Sequence, residues 1–323
     1  MIDVTIIIPT FNRLWCLPKA IESCRHSACQ TEIIVIDDGS TDGTWEWLQQ
    51  QKDVVVLRQV NWGKDWAVNA AFAQANGEYV RFLDSDDWLL AGAIDAQLAL
   101  ARKEGADVVV AGYEVYDEQE NLIRKSPWVD CDDFIAQQLG ECDSSHYSAY
   151  LFRRSFIKDI PHRQEFGVRD DRMFVIEVAM AKPRVTVCEQ WAFGHRQHAQ
   201  ARLQFPNGMR AVQTNFQHLQ IYRKSLAQLD GQGELTPRCK KAACKILWPL
   251  AHWIAYTHLT EACEVADWVF NLDPDFTIPE SGMLGRLYRG LGFRRTEQIL
   301  ALRRTLLRPF TKTPNTKTLD LPA

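Results

Sequence analysis

Three aspartates stand close together after an apolar run in the first third of the chain. Residues 83–87 read LDSDD and place carboxylates at Asp84, Asp86 and Asp87. Crowded like charges are costly unless a cation neutralises them. Carboxylate oxygens at a strand end suit Mg²⁺ or Mn²⁺, which usually completes its shell with water and substrate phosphates. The segment therefore predicts a divalent ion shared with a diphosphate, although an isolated Asp-x-Asp is also typical of a solvated turn that caps a helix.

A second acidic segment follows another predicted strand. It contains Asp37 and Asp38 and continues as a turn through Ser40, Thr41 and Asp42. An acidic side chain at such a place accepts hydrogen bonds from a nucleobase imide or from ribose hydroxyls. Helix capping accounts for the residues of the turn, but it does not account for the first two aspartates. We therefore expect a nucleoside to bind beside them.

The elements that must position these residues follow from hydrophobic periodicity. Short β-branched runs alternate with longer segments of helical period over the first 110 residues, which predicts an α/β fold with a mostly parallel sheet and helices on both faces. Strands are predicted at 4–8, 32–37, 53–58, 78–83 and 107–111, and helices at about 13–27, 42–51, 64–75 and 90–103. The strands are apolar on both faces, so we expect burial on both faces. Their carboxyl ends, where ligands of open α/β sheets bind, should bring the polar loops to one edge.

The rest of the chain divides by pattern. Hairpin-like stretches at 113–116 and 122–125 and helices near 132–139 and 170–181 complete one α/β domain over 1–205, with halves at 1–110 and 111–205. Helical period then predominates, with segments near 208–229, 236–258 and 260–271, which predicts a helical annex over 206–280. A basic amphipathic tail is expected over 281–323.

Composition excludes several classes of protein. The 323 residues are 46% hydrophobic and 24% charged, so disorder and fibrous repeats are excluded. No uninterrupted apolar run reaches the roughly 18 residues that span a bilayer, and the N-terminus lacks the pattern of a secretory signal, which predicts a cytoplasmic protein. The nine cysteines form no CxxC pair, so we expect reduced thiols. The usual glycine-rich NAD and ATP motifs are missing from the sequence.

The charge is distributed unevenly. The net charge is −4, yet residues 285–323 hold nine Lys and Arg against two acidic residues, so the tail carries +7 and the remainder −11. Its apolar residues recur at helical spacing, at Ile299, Leu300, Leu302, Leu306 and Leu307, with Arg304 and Arg308 on another face. Such a segment can lie on an anionic membrane or pack on the protein itself, and both interpretations stand. The acidic remainder argues against nucleic acid as a partner.

Four ordered blocks within about 90 residues resemble a known family. They are VTIIIPTFNR at 4–13, EIIVIDDGSTDGT at 32–44, NWGK at 61–64 with Asn69 and ANGEY at 75–79, and LDSDD at 83–87. This chain resembles the inverting, GT-A fold, family 2 nucleotide-sugar glycosyltransferases of bacteria, with similarity in general form to about residue 205. The resemblance implies transfer from a nucleoside-diphosphate sugar, most often a UDP-sugar, to a hydroxyl of a cell-surface glycan or lipid-linked acceptor, with Mn²⁺ or Mg²⁺ as cofactor. It also implies a place in the cytoplasm, with peripheral attachment to the inner face of the membrane as an option.

The resemblance also implies roles for individual residues. Those expected to bind the nucleotide or donor sugar are Pro9, Thr10, Asn12, Asp37, Asp38, Lys64, Asp84, Ser85 and Arg196. Those expected to ligate the metal are Asp86, Asp84 and His198. Residues 1–110 would then form the nucleotide-binding half of the domain and residues 111–205 the acceptor half.

The general base is expected at the start of a helix. In the family it comes from a Glu-Asp-like pair, and here Asp170 and Asp171 occupy that place between Arg169 and Arg172. A carboxylate within hydrogen-bond reach can take the proton of an attacking hydroxyl, and direct displacement would invert the anomeric carbon. Asp171 is the first candidate, with Asp170 as the alternative, and helix capping can coexist with either role.

Two other functions compete with this one. A sugar nucleotidyltransferase would also be α/β with paired aspartates, but it normally carries a glycine-rich loop with Arg after the first strand, where residues 9–13 read PTFNR. A non-catalytic nucleotide-sugar-binding homologue would keep the pocket and lose the base. The presence of Asp84, Asp86 and Asp171 favours an enzyme.

Overall fold

The computed structural model describes residues 1–200 and 209–307, with side chains as far as residue 304. The chain forms two compact units, Met1–Ala243 and Cys244–Ala323. The strands are β1 Val4–Thr10, β2 Thr31–Asp37, β3 Val55–Arg58, β4 Tyr79–Phe82, β5 Trp88–Leu89, β6 Val108–Ala111, β7 Tyr113–Tyr116, β8 Leu122–Ser126, β9 Leu151–Arg153, β10 Val185–Cys188 and β11 Phe193–Arg196. The helices are α1 Leu17–Cys24, α2 Thr44–Leu48, α3 Lys64–Phe72, α4 Ala93–Glu104, α5 Phe134–Leu139, α6 Arg154–Ile157, α7 Asp170–Met180, α8 Met209–Gly231, α9 Pro237–Ala255, α10 Leu259–Leu272 and α11 Gly282–Leu307.

The first unit is built on a seven-stranded sheet in the order β10-β6-β9-β4-β1-β2-β3. All its neighbours are parallel except β9, which runs antiparallel to β4 and β6. A second sheet has the order β5-β11-β7-β8. The predicted α/β class with a mostly parallel sheet is therefore confirmed, as is the hairpin of β7 and β8.

Burial follows the position of each strand in the sheet. Central strands β1, β4 and β6 are buried along their whole length. The expectation of burial on both faces is wrong for β3, where Val55 is 43% exposed. Strand β3 pairs only with β2 and forms the edge of the sheet, so no neighbouring strand covers its outer side.

The strand register aligns the carboxyl ends that carry the polar loops. Thr10 at the end of β1 lies opposite Asp37 at the end of β2, and Asp37 lies opposite Arg58 at the end of β3. The loop after β4 joins this edge because β4 pairs in parallel with β1. The polar loops thus share one edge of the sheet, as the periodicity predicted.

The two compact units divide after Ala243, whereas the sequence predicted boundaries near residues 205 and 280. Those predicted domain boundaries remain predictions. Helix α8 belongs to the first unit. The buried Tyr222 hydroxyl on this helix donates to the carbonyl of Leu139 at 3.0 Å, so a segment assigned to the annex by its helical period packs on the α/β domain. The nine cysteines are free thiols, as their number and spacing predicted.

The second unit contains most of α9 together with α10 and α11. Its core includes Trp248, whose indole N–H donates to Glu280 at 3.0 Å, and a buried Glu297 that accepts from Tyr288 and pairs with His252. Gly292 interrupts the helical path of α11 with φ +77°. The side chains of Leu306 and Leu307, and all of residues 308–323, lie outside the described part of the tail. In the described ranges, no helix is both long and apolar enough to cross a membrane.

Candidate active site

The loop after β1 is joined to the loop after β2 through Asn12. This residue has φ 53°, in the left-handed region that asparagine tolerates better than most residues. Its side-chain oxygen accepts from the Thr41 N–H at 2.8 Å, and its own N–H donates to the Ser40 hydroxyl at 2.8 Å. Pro9 and Thr10 precede it as buried residues of β1. The predicted nucleotide-pocket residues of these two loops therefore lie together.

The two aspartates at the end of β2 are held by protein groups. Asp37 is fully buried, accepts from the Ser40 N–H at 3.1 Å and pairs with the Arg58 guanidinium at 3.2 Å. Asp38 accepts from the Trp62 N–H at 3.0 Å and from the Gly63 N–H at 3.1 Å. Asp37 thus fixes the turn after its own strand, whereas Asp38 fixes the loop after β3.

Asp84 pairs with a lysine at the start of α3. The Lys64 ammonium lies 2.6 Å from the Asp84 carboxylate and 5.7 Å from the centre of the Tyr147 ring. Burial alone would raise the pKa of Asp84, but the Lys64 charge, His146 and the hydrogen bond from Lys64 together outweigh burial and lower the pKa. The pKa of Lys64 is raised despite burial, because Asp84, Asp171 and Asp170 surround it with negative charge. Lys64 is therefore a cation shared between the carboxylate loop and the start of α7.

Asp86 pairs with the predicted histidine ligand. Its carboxylate lies 2.8 Å from Nε2 of His198, whose ring is buried against Trp15. Burial opposes ionisation of Asp86, yet the His198 hydrogen bond and the Arg13 charge lower its pKa to about 2. Nδ1 of His198 is buried, with no hydrogen-bond partner among the described residues. An ionised carboxylate and an imidazole therefore converge in a buried place, a donor set that suits Mn²⁺.

The remaining residues of the carboxylate loop tie it to the strands around it. Ser85 is buried, and its carbonyl accepts from the Cys16 thiol at 3.4 Å. Asp87 is buried and accepts from the Arg196 N–H at 2.9 Å, and its burial raises its pKa to about 6. The Arg196 guanidinium lies 4.9 Å from the centre of the Trp88 ring, and its Nε donates to the Asp86 carbonyl. Arg196 thus reaches the predicted loop, where it supports the backbone of Asp86, the predicted metal ligand.

The two aspartates at the start of α7 have different surroundings. Asp170 is 2% exposed, and its carboxylate lies 2.6 Å from Nδ1 of His162. Nε2 of His162 lies 2.7 Å from the Tyr147 hydroxyl, so a buried chain of three polar groups holds Asp170. Asp171 is half-buried, and burial raises its pKa against the opposing charge of Lys64. Asp171 is therefore the less buried of the two, and it lies close enough to Lys64 and Asp84 for their charges to interact.

Sequence reasoning missed His146, Tyr147 and His162, because nothing in their spacing links them to the motifs. Possible ligand atoms of Asp87, His146 and His195 lie within 4.8 Å of one another, a set that differs from the predicted Asp84, Asp86 and His198. Nδ1 of His146 accepts from the Ser148 N–H, so its proton sits on Nε2. The described residues therefore offer two donor sets, Asp86 with His198 and Asp87 with His146 and His195.

Comparison with known proteins gives a consistent result. Residues 5–161 match the family model described as "Glycosyl transferase family 2". The chain is 33% identical over 123 residues to Glycosyltransferase GlyG of Streptococcus pneumoniae serotype 4, a match that covers 36% of this chain and 41% of GlyG. It is 32% identical over 191 residues to the GalNAc(5)-diNAcBac-PP-undecaprenol beta-1,3-glucosyltransferase of Campylobacter jejuni subsp. jejuni serotype O:2, covering 54% of this chain and 59% of that enzyme. The chain therefore spans less than two thirds of the length of either relative.

A solved structure extends the likeness in fold. The crystal structure of S. aureus TarS 1-349 in complex with UDP superposes with a TM-score of 0.60 at 15% identity, covering 94% of this chain and 92% of that one. At this identity the likeness concerns the fold alone. It is consistent with a GT-A type domain followed by a helical region.

Proposed function

We propose that this chain, which belongs to glycosyl transferase family 2, transfers a sugar from a nucleoside-diphosphate sugar to a hydroxyl of a cell-surface glycan or lipid-linked acceptor. The observation that carries the proposal is that Asp84 pairs with Lys64 at the edge of the sheet while the charge of Asp171 acts on the same lysine. One carboxylate belongs to the loop expected to hold the donor, and the other stands where a base for the acceptor is expected. A binding protein without activity would not need a carboxylate at the position of Asp171.

Asp171 is the proposed general base. As the acceptor oxygen attacks the anomeric carbon, its proton passes to the Asp171 carboxylate while the bond from that carbon to the diphosphate breaks, so the configuration inverts. The raised pKa of Asp171 makes its ionised form a stronger base than an ordinary aspartate. Asp170 is proposed to orient the start of α7, because its carboxylate is bound to His162.

Asp86 and His198 are the residues proposed to hold Mn²⁺ or Mg²⁺, with Asp84 beside them. The pair fits such an ion, since the buried ring of His198 and the ionised Asp86 offer one nitrogen and one oxygen ligand. When bound, the ion neutralises charge on the diphosphate. Lys64 supplies a fixed positive charge that stabilises the departing nucleoside diphosphate.

The nucleotide is proposed to be UDP. The supporting facts are the UDP complex of TarS, whose fold this chain shares, and the loops of Pro9, Thr10 and Asn12, which meet those of Asp37 and Asp38. The Asp38 carboxylate already accepts hydrogen bonds from the loop after β3. Its proposed contact with the nucleobase therefore uses the remaining lone pairs of its two oxygens.

The experiment is a donor screen on the full chain. UDP-, GDP- and dTDP-sugars are incubated with Mn²⁺ and a bacterial lipid extract as the source of acceptor, and release of nucleoside diphosphate is measured. We expect release from one donor class and its loss in Asp171→Asn. Asp117→Asn, altered in an exposed loop, is the matched control. Release from no donor, or equal release by Asp171→Asn, would contradict the proposal.

We also propose that the protein works in the cytoplasm and attaches peripherally to the inner membrane face through α11. This helix exposes Met283, Leu291, Ile299 and Leu302, the last of them at 65%, among several arginines. Apolar groups beside basic ones suit an anionic lipid surface. Vesicles of phosphatidylglycerol should sediment the protein better than vesicles of phosphatidylcholine, and Leu302→Glu should weaken the effect. Equal sedimentation with both lipids would exclude this attachment.

A further inference from the structure

The exposed aromatic side chains of the first unit are concentrated at the edge that carries the site. Within its described residues they are Phe11, Trp15, Trp62 and Trp66. The first two follow β1, and the other two lie after β3, in the loop and first turn that lead into α3. Large aromatic groups are normally covered in a folded protein, so a cluster of exposed ones on a single edge indicates a binding surface.

Trp62 and Trp66 form a pair within this surface. Their ring centres are 5.8 Å apart at an interplanar angle of 57°, and they are 62% and 44% exposed. The Trp62 backbone is fixed, because its N–H and that of Gly63 both donate to Asp38. Trp66 is fixed by its place in the first turn of α3. Two indoles are thus presented to solvent on an ordered backbone, which lowers the entropy cost of binding a ring against them.

The two tryptophans lie near both the proposed donor site and the proposed general base. Lys64, two residues before Trp66, contacts Asp84 of the carboxylate loop. Asp65 is buried close enough to Asp170 and His162 for their charges to interact. Further along α3, the Asn69 amide donates to the His162 carbonyl at 2.7 Å. The first turn of α3 therefore borders both the proposed donor site and the helix that carries the proposed base.

We propose that Trp62 and Trp66 form a subsite that stacks a pyranose ring of the glycan acceptor; this inference rests on the proposed function. A pyranose has an apolar face of C–H groups that packs on an indole, while its hydroxyls stay in water or bond to polar neighbours. Asp38 bonds the backbone N–H of Trp62, Asp65 lies between the two tryptophans in sequence, and the Lys64 charge is engaged by Asp84. Because Lys64 is already paired, it adds little attraction for an anionic lipid headgroup.

Saturation-transfer NMR tests this subsite with defined sugars. The full chain is mixed with methyl glycosides of glucose, galactose, N-acetylglucosamine, N-acetylgalactosamine and rhamnose, with UDP and Mn²⁺ present. We expect saturation of the ring C–H protons of at least one glycoside, and an affinity about fivefold to tenfold weaker in Trp62→Ala/Trp66→Ala. Trp62→Phe/Trp66→Phe keeps aromatic faces and should retain most of the binding. Trp253→Ala, altered at an exposed tryptophan of the second unit, is the matched control.

Several results would overturn the inference. One is that no glycoside binds the wild type, and another is that the alanine variant binds as well as the wild type. If the variant instead loses UDP affinity in calorimetry, the pair belongs to the nucleotide pocket, and if it loses binding to phosphatidylglycerol vesicles, the pair is a membrane contact. If the wild type binds UDP but no glycoside, this inference fails and the proposed function stands. If it binds neither, the proposed function fails as well.

Discussion

Replacing His162 with leucine removes the centre of the buried chain behind the proposed base. His162 is bonded on one side to Asp170 at 2.6 Å and on the other to the Tyr147 hydroxyl at 2.7 Å, and it stacks on Phe174 with ring centres 4.4 Å apart. Both His162 and Asp170 are at most 3% exposed. Leucine fills much of the same space but offers neither bond, so the Asp170 carboxylate would stay buried without its donor.

The magnitude follows from these contacts. Removing the donor to a buried carboxylate costs about 3–5 kcal/mol of folding free energy when it leaves that group desolvated without compensation. Tyr147→Phe removes one neutral hydrogen bond and should cost about 1 kcal/mol. We therefore expect His162→Leu to be destabilised by about 4 kcal/mol. Adding Asp170→Leu to it should recover part of that loss, since no buried charge then remains.

Urea unfolding at neutral pH, followed by circular dichroism, measures these differences. The control is His26→Leu, since His26 is exposed and paired with Glu22 at the surface, and it should change the stability by less than about 1 kcal/mol. A loss below about 1 kcal/mol in His162→Leu, or a further loss on adding Asp170→Leu, would refute the reasoning from a buried carboxylate that has lost its donor.

Three other predictions concern the site and the second unit. Asp171→Asn should lower sugar transfer by about 10²–10⁴-fold with UDP affinity unchanged in calorimetry, and a matching loss of UDP affinity would place Asp171 in donor binding instead. Because Asp171 must be ionised to accept a proton and burial raises its pKa, transfer should fall as the pH drops through a midpoint above the ordinary aspartate value of about 3.9. Lys64→Met should move that midpoint upward, since the lysine charge lowers the Asp171 pKa, and a downward shift in the pH–rate profile would contradict the placement. His252→Leu should destabilise the protein by about 1.5–3 kcal/mol in urea unfolding, because the buried Glu297 loses its partner 2.7 Å away while Tyr288 and Arg304 remain, whereas an unchanged midpoint would show that the pair contributes nothing.

Hydrophobic periodicity predicted five of the seven strands of the main sheet and the edge where the polar loops meet. Strands β1, β2 and β4 are runs of branched and aromatic residues, and Asp37 and Asp84 stand at or just beyond their carboxyl ends. Strands β5, β9, β10 and β11 were not predicted, because their two to four residues show no clear period and their pairing is decided by distant segments.

The sequence predicted which residues belong to the candidate site, but it did not predict which of their side chains contact one another. The sequence placed Asp170 and Asp171 side by side with no means of separating them, whereas packing buries Asp170 on His162 and leaves Asp171 partly exposed within the field of Lys64. The contact of Asp86 with His198 spans 112 positions and was expected from the family resemblance rather than from local pattern. Such long-range pairs are fixed by tertiary structure, which no short window of sequence reports.

The central claim is that the edge of the sheet binds a nucleoside diphosphate with a metal held by Asp86. Calorimetric titration of the full chain with UDP, with and without Mn²⁺, measures this directly, with GDP, dTDP and CMP as alternatives. The account predicts that one nucleotide binds strongly only with Mn²⁺, that Asp86→Ala abolishes this dependence, and that Asp117→Ala leaves it unchanged. Absence of binding by every nucleotide, or metal-dependent binding that survives in Asp86→Ala, would contradict it.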